Sequence, residues 1–446
     1  MTLSVPKTWD DITPEWMTAV LAVRHPGCTV AAVKVTTRDD GTNRRARLQM
    51  TYSAGNGPAT VFAKAADPAH KEMIRMTSGM FHEPRLFTSD VELPLEHPLV
   101  YTALIDEDDY DFVMIMEDLT ARGADPRDAT RPMTVEQVAT GVRGLARMHG
   151  KYWGERALRE PGLHWLEPFL PWDGMQYAPL HQAQQNLGDD APPQVLALTI
   201  DQLIGSIWKP YIETLTNSPQ TLLHGDPHIG NTYVLPSGEV GFLDWQVARR
   251  GNWSLDLGYF LQGALTTEDR RSSERGLLEE YRAALGLPSA ELPSLQEIWL
   301  RYRASVAHGL AIWLCTASAG ELWQRPDIAI ALAQRYSAAY ADLDTSAALD
   351  ESEPYDLGIH PAIADPEIVH DGIAQFLLPH VVASVLNAET QCRRIIFDPD
   401  RRNKPARLFC ESGGCVFLGE HDVKDRRLAL YVLPRTLDDV PRLRDV

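Results

Sequence analysis

Eight consecutive residues near the middle of the chain carry the clearest chemical signal: His224-Gly225-Asp226-Pro227-His228-Ile229-Gly230-Asn231. Asp244 follows thirteen residues after Asn231, in Phe242-Leu243-Asp244-Trp245. A carboxylate and an amide on one Gly/Pro loop, with a second carboxylate at the end of the next strand, suit phosphoryl transfer. That reaction asks little covalent work of a protein; it needs a positioned nucleophile and neutralised phosphate charge. Asp226 can accept a hydrogen bond from an attacking hydroxyl, while Asn231 and Asp244 offer oxygen ligands to Mg²⁺. A short hairpin over Tyr233–Phe242, turning at Pro236-Ser237-Gly238, would bring Asn231 and Asp244 side by side. A zinc reading of His224 and His228 fails, because Gly225 and Pro227 deny them the helix that i, i+4 ligation requires. His224 is expected to pack under the loop.

This string resembles the catalytic loop and metal-binding aspartate of the protein-kinase-like fold. It is closest to the aminoglycoside phosphotransferase and choline kinase branch, whose loop reads His-Gly-Asp-x-x-x-x-Asn. Asp244-Trp245-Gln246 and the helix end at Trp153 lean towards the ecdysteroid-kinase-like group within it. The resemblance implies Asp226 as catalytic base, Asn231 and Asp244 as magnesium ligands, and Asp256 as a brace beneath the loop. Lys64, at the end of Val61-Phe62-Ala63-Lys64, matches the third-strand lysine that pairs with nucleotide phosphates. Glu83, in His82-Glu83-Pro84-Arg85-Leu86-Phe87, resembles that lysine's carboxylate partner, with Glu72 as runner-up. Pro84 places Glu83 at or near a helix start. Gly41-Thr42-Asn43 resembles a phosphate-covering turn, whose glycine lets backbone amides approach phosphate oxygens. Val113–Met116 followed by Glu117-Asp118-Leu119 resembles the hinge between lobes, with Met116, Glu117 and Leu119 as nucleotide contacts. Ala146–Trp153 resembles a Leu-His-Ala-x-x-Trp helix end, in which His149 and Trp153 are structural.

The elements that must position these residues follow from period and punctuation. Thr13 caps a helix with Pro14 at its first position and a Trp16, Val20, Leu21 stripe. Alternation over residues 30–35, 48–52 and 61–64, broken by Gly-containing turns, predicts a three-stranded meander. A helix around 72–87 and strands over 99–105 and 112–117 complete an N-terminal lobe. From Leu119 the pattern turns helical: 135–153, 195–214, 273–285, 295–317 and 326–343. Short extended runs lie at 221–224 and 240–244. The acidic stretch 344–356 reads as a linker. Beyond it, 366–392 reads as helix, and 406–410, 415–418 and 427–433 as strands. The expected fold is α+β: a protein-kinase-like, two-lobed arrangement with a five-stranded antiparallel N-lobe, a mainly helical C-lobe and a C-terminal extension. The expected divisions are 1–117, 118–345 and 346–446, the last without assigned role.

Composition narrows the class. With 446 residues and 44% hydrophobic content the chain can bury a large core. A net charge of −19 argues against nucleic acid and anionic membrane as partners. Neither an apolar run long enough for a bilayer nor a basic-then-apolar leader is present, so a cytoplasmic location is expected. Five scattered cysteines form no disulfide framework; Cys410 and Cys415, flanking Glu-Ser-Gly-Gly, could face each other across a hairpin. The expectation is an ATP- and Mg²⁺-dependent phosphotransferase acting on a small-molecule alcohol. Trp208, Tyr302, His308, Trp313 and Trp323 would supply aromatic walls for an apolar alcohol, although any single one of them is expected first as a core residue; Asp and Glu near the site would instead suit an aminated sugar or a choline-like cation. The alternative is a catalytically silent nucleotide-binding pseudokinase or scaffold. The Ala-Pro-Glu end of a protein-kinase activation segment is absent after Asp244.

Overall fold

A computed structural model describes residues 3–38, 41–71, 79–89, 91–159, 162–188, 191–216, 219–352, 355–359, 373–388, 392–423 and 426–435. The chain divides into two compact units, Met1–Leu349 and Asp350–Val446.

In the first unit, five antiparallel strands form one sheet: β1 (Thr29–Arg38), β2 (Arg44–Ala54), β3 (Thr60–Ala65), β4 (Val100–Asp106) and β5 (Asp111–Glu117), in the order β1-β2-β3-β5-β4. Alternation decides which residues face where, because successive side chains leave opposite sides of a strand. Ala46, Leu48 and Met50 of β2, Val61 and Ala63 of β3, and Val113 and Ile115 of β5 share one face. Helix α1 (Pro14–Leu21) covers it with Met17, Val20 and Leu21. Thr13 caps α1 by accepting from Trp16 N at 3.2 Å. The other face carries Phe62 and Lys64 of β3 opposite Met116 and Met114 of β5. Arg45 and Arg47 of β2 oppose Lys64 and Phe62. Helix α2 (His82–Thr88) lies on this side. Glu72 and most of the residues expected to open that helix fall outside the described residues.

Below the sheet the chain is mainly helical. Helix α3 (Val135–Lys151) begins in a capping box: Thr134 Oγ1 accepts from Gln137 N, and Gln137 Oε1 accepts from Thr134 N. Its buried stripe is Val138, Val142, Leu145 and Met148. Helix α4 (Ser254–Ala264) is buried along its whole length. The expected helix over 195–214 is broken. Pro193–Leu196 is one turn, Gln202–Trp208 is π-helical, and Lys209–Thr214 returns to α. Pro210 has no N–H to give to the preceding turn, so the ladder widens there. The 273–285 helix starts earlier, at Thr267, because Thr266 caps it through Asp269 N. Two small sheets frame the central loop: Thr221–Leu223 pairs with Arg249–Gly251, and Thr232–Val234 with Val240–Phe242. Among the described residues, no helix is long and apolar enough to cross a membrane.

The second unit is a four-stranded sheet. Tyr355–Gly358 runs parallel to Cys392–Phe397, which pairs with Arg426–Pro434 and, through it, Val416–Val423. Leu378, Val382, Ile395, Phe397, Cys410, Ala429 and Tyr431 form its core. Two sequence expectations are corrected here. Residues 344–356 are not a bare linker but contain helix Thr345–Ser352 and the start of the first strand. Residues 406–410 are helix, not strand: Asn403 Oδ1 accepts from Ala406 N, and Pro405 suits the first turn of Lys404–Ser412. Cys410 and Cys415 therefore meet across a helix-to-strand turn, and both are free thiols. Of the expected 366–392 helix, Ile373–Ala388 is helical and 366–372 lie outside the described residues.

Candidate active site

The alternation of β3 aims Lys64 out of the core and under the sheet, where it is almost wholly buried. Its Nζ lies 2.5 Å from Glu83 Oε2 on α2 and 2.7 Å from Asp244 Oδ1. Burial opposes the lysine's charge, but Asp244 and Glu83 together more than offset it and raise its pKa. Burial pushes Glu83 up, against the pull of Lys64. Asp244 is held low by Lys64 in spite of its burial. The ammonium thus stands charged between two lobes.

Asp244 adopts φ 65° and ψ 68°, a left-handed conformation that costs a non-glycine residue on the order of 1 kcal/mol. The turn presents Trp245 N to Glu83 Oε1 at 3.2 Å. Glu83 therefore holds the lysine with one oxygen and the aspartate's own turn with the other.

The central loop is fixed from beneath. Asp256 accepts from His224 N at 2.7 Å and Gly225 N at 2.9 Å. His149 Nε2 lies 3.2 Å from Asp256 Oδ2, and the ring's Nδ1 meets Tyr281 Oη at 2.8 Å. Gly225 has φ +85°, and a Cβ there would lie 2.1 Å from Val247 O. His224 Nδ1 accepts from Asp226 N, so its Nε2–H donates to Leu243 O at 3.1 Å. The ring is neutral, and burial lowers its pKa. It packs under the loop at 4.4 Å from the Trp245 ring.

Asn231 Nδ2 donates to the Asp226 carbonyl at 2.9 Å and to Asp226 Oδ2 at 3.0 Å. Since both partners are acceptors, the amide orientation is set, and Asn231 Oδ1 is left for another donor or cation. Leu243 N donates to Asn231 O at 2.9 Å, which ties the loop to the strand bearing Asp244. Burial and the nearby Asp244 charge raise Asp226 well above the usual carboxylate range.

Two adjoining cavities share Arg45, Lys64 and Asp244. One, of about 280 Å³, is lined by Phe62, Phe87, Pro98, Met116, Glu117 and Leu119. The other, of about 610 Å³, is lined by Gly41, Thr42, Asn43, Gln246 and Leu322–Gln324. Asn43 Nδ2 donates to Gln246 Oε1 at 3.0 Å, linking the turn between β1 and β2 to the segment after Asp244. The Glu117 side chain is occupied structurally, accepting from Leu99 N and Arg122.

Of the two readings of the aromatic residues, core packing holds for four. Trp208, Tyr302, His308 and Trp313 are core residues, packed among one another and their helices. Trp323 differs: it is 60% exposed and borders the larger cavity. Sequence reasoning missed Arg45, whose placement depends on cross-strand register, and the His149–Tyr281 contacts behind Asp256, which join distant helices.

Comparison with known proteins adds two findings. Residues 89–298 match the model of the phosphotransferase enzyme family, and residues 321–423 that of the acetyltransferase (GNAT) domain. Residues 321–349 of the second match lie in the first compact unit. A stretch of 95 residues is 57% identical to lysine N-acyltransferase MbtK of Mycobacterium sp. (strain MCS), covering 21% of this chain and 39% of that protein. The counterpart from Mycobacterium tuberculosis (strain ATCC 25618 / H37Rv) is 57% identical over 83 residues, 19% of this chain and 40% of that protein. The chain spans about two-fifths of the length of these relatives. Among solved structures, choline kinase LicA from Streptococcus pneumoniae is 13% identical, covering 74% of this chain and 98% of that one, with a TM-score of 0.39. Choline kinase from Cryptosporidium parvum Iowa II is 10% identical, covering 75% and 97%, with a TM-score of 0.42. Residues 89–298 thus match the phosphotransferase enzyme family, and most of the extension left without a role in the sequence falls within the acetyltransferase match.

Proposed function

We propose that the first unit phosphorylates a hydroxyl group of a small molecule, using ATP and Mg²⁺. The observation that carries this reading is the Lys64 ammonium, bracketed by Glu83 and Asp244 at the junction of two cavities. A buried cation held by carboxylates from both lobes is a site prepared for polyphosphate charge.

The donor set fits a hard divalent cation. Asn231 has an uncommitted Oδ1 once its amide nitrogen serves Asp226, and Asp244 supplies a second oxygen beside it in the fold. These two residues would hold Mg²⁺, which when bound neutralises phosphate charge. Asp226 does the proton work. Asn231 occupies its Oδ2, which leaves Oδ1 to accept a hydrogen bond from the acceptor hydroxyl and orient its oxygen towards the γ-phosphorus. As the new O–P bond forms, the bond between the γ-phosphorus and its bridging oxygen breaks, ADP leaves, and Asp226 takes the hydroxyl proton. Met116 and Leu119 would line the base end of the nucleotide, and Gly41-Thr42-Asn43 would cover its phosphates. The larger cavity, with Trp323 at its border, is where the acceptor would enter.

Screening hydroxylated metabolites for ADP release tests the reading. Turnover that needs Mg²⁺ and vanishes in Asp226→Asn is expected. Nucleotide binding without turnover on any alcohol would favour the pseudokinase alternative, against which the presence of Lys64, Asp226, Asn231 and Asp244 together counts.

A second reading rests on the 57% identity to lysine N-acyltransferases. We infer that residues 350–446 contribute to acyl transfer onto a lysine amine. Thiol release from an acyl thioester, stimulated by lysine and measured on the full chain, checks this. Release no faster than in a lysine-free control would remove it.

A further inference from the structure

Arg45 stands out among the charged side chains that the sequence left unassigned. It sits directly across from Lys64 in the β2–β3 ladder, so both side chains leave the same face of the sheet. It lines the smaller cavity and the larger one, the position that a chain of phosphates running from one to the other would pass. Its guanidinium also lies beneath the turn between β1 and β2: a Cβ built on Gly41 would come within 2.9 Å of Arg45 Nη2. Three features of the fold therefore converge on one guanidinium: strand register, two cavities and the close approach of Gly41.

The neighbouring cations differ in kind. Lys64 is committed to Glu83 and Asp244 and acts as a compact point charge. Arg47, two residues along the same face, is held by Asp118 at 2.9 Å at the far end of the smaller cavity. Arg45 brings a planar fork with several donors, the geometry that matches non-bridging phosphate oxygens.

We propose that Arg45 is a second polyphosphate clamp of this site, binding the oxygens of the nucleotide's phosphate chain from the sheet side while Lys64 holds them from beneath. The assignment rests on the phosphotransfer reading above and deepens it: the site is selective for the phosphate chain and not only for the base.

Equilibrium binding of Mg·ATP and of adenosine to the full chain tests this, with wild type, Arg45→Met and Arg45→Lys compared. A clamp predicts that Arg45→Met weakens Mg·ATP binding by about ten- to a hundredfold, the range of a charge-assisted hydrogen bond, and leaves adenosine binding unchanged. Arg45→Lys should recover part of the loss, because it restores charge without the fork. Inorganic tripolyphosphate should compete with ATP in wild type and much less well in Arg45→Met. Equal weakening of ATP and adenosine would mark Arg45 as a structural residue and overturn the assignment, as would unaltered ATP affinity in both variants. A wild-type chain that binds no Mg·ATP at all would sink the phosphotransfer reading itself, an outcome distinct from either of these.

Discussion

Asp226 and Asp256 are both loop-associated carboxylates, yet their surroundings give them opposite work. Asp226 has one oxygen taken by Asn231, and its side chain is part-exposed. Its replacement by Asn should lower turnover by about 10²–10⁴-fold, the usual reach of a positioned base, with Mg·ATP affinity retained. Steady-state ADP release beside equilibrium nucleotide binding measures this, and an Asn variant as fast as wild type would strip Asp226 of its role. Asp256 is wholly buried; its oxygens accept from the backbone of His224 and Gly225, and one of them also meets His149 Nε2. Removing it strands two buried N–H groups, each costing about 1–3 kcal/mol. Asp256→Ala should therefore destabilise the fold by roughly 3 kcal/mol. Denaturant titration reads the loss, and a change under about 0.5 kcal/mol, the scale of a neutral surface substitution, would show that the loop does not depend on this brace.

At the scale of elements, α3 couples a local signal to the site. Its capping box starts the helix at Thr134, and its last turn delivers His149 to Asp256. Thr134→Ala should cost about 1 kcal/mol of stability, the typical worth of such a cap, while the KM for ATP stays constant. A shifted KM would mean that the cap acts on the cleft and not simply on the helix. The elements legible in the sequence were those with a clear pattern: β1 to β3 alternate, β5 is a continuous apolar run, and α3 repeats every three to four residues. The loop from His224 to Asn231 was legible because its chemistry depends on spacing along one short segment. Arg45 was not, since nothing in Asn43-Arg44-Arg45-Ala46-Arg47 says which arginine opposes Lys64; the pairing register decides that. The helix Lys404–Ser412 was misread because Leu408-Phe409-Cys410 has strand-like composition while its helix signals, Asn403 and Pro405, lie upstream. Trp208, His308 and Trp313 lie on helices, where a large aromatic side chain marks a buried face as readily as a cavity lining, so the sequence alone left both readings open.

For the whole molecule, the buried histidines contribute to the response to acid. Burial lowers His308 to about 3, against a smaller opposing pull from Asp256. Trp208 Nε1 donates to its Nδ1, and the rings of Phe169, Trp172 and Tyr259 enclose it. In the unfolded chain the same ring binds a proton near pH 6.5. Above that pH both states are neutral and its contribution is intact. Between there and about 3 only the unfolded state is protonated, so stability falls as pH falls. His308→Gln should lose less stability than wild type between pH 7 and pH 5, and parallel losses in the two proteins would exclude His308 as a source. The division into two units adds a prediction of a different kind. Each unit has its own core, so heating should give two transitions instead of one. The cleft lies entirely within the first unit. A ligand of the folded cleft stabilises only the unit that contains it, by about 2.7 kcal/mol at a hundredfold excess over its Kd. Mg·ATP should therefore raise one transition and leave the other where it was. Asp244→Ala should abolish that shift, because it removes a proposed metal oxygen and one of the two partners of Lys64. Scanning calorimetry of the full chain with and without Mg·ATP decides the matter: a single transition that moves as one would mean that the two cores melt together, and two transitions that both ignore the nucleotide would leave the cleft without its proposed ligand.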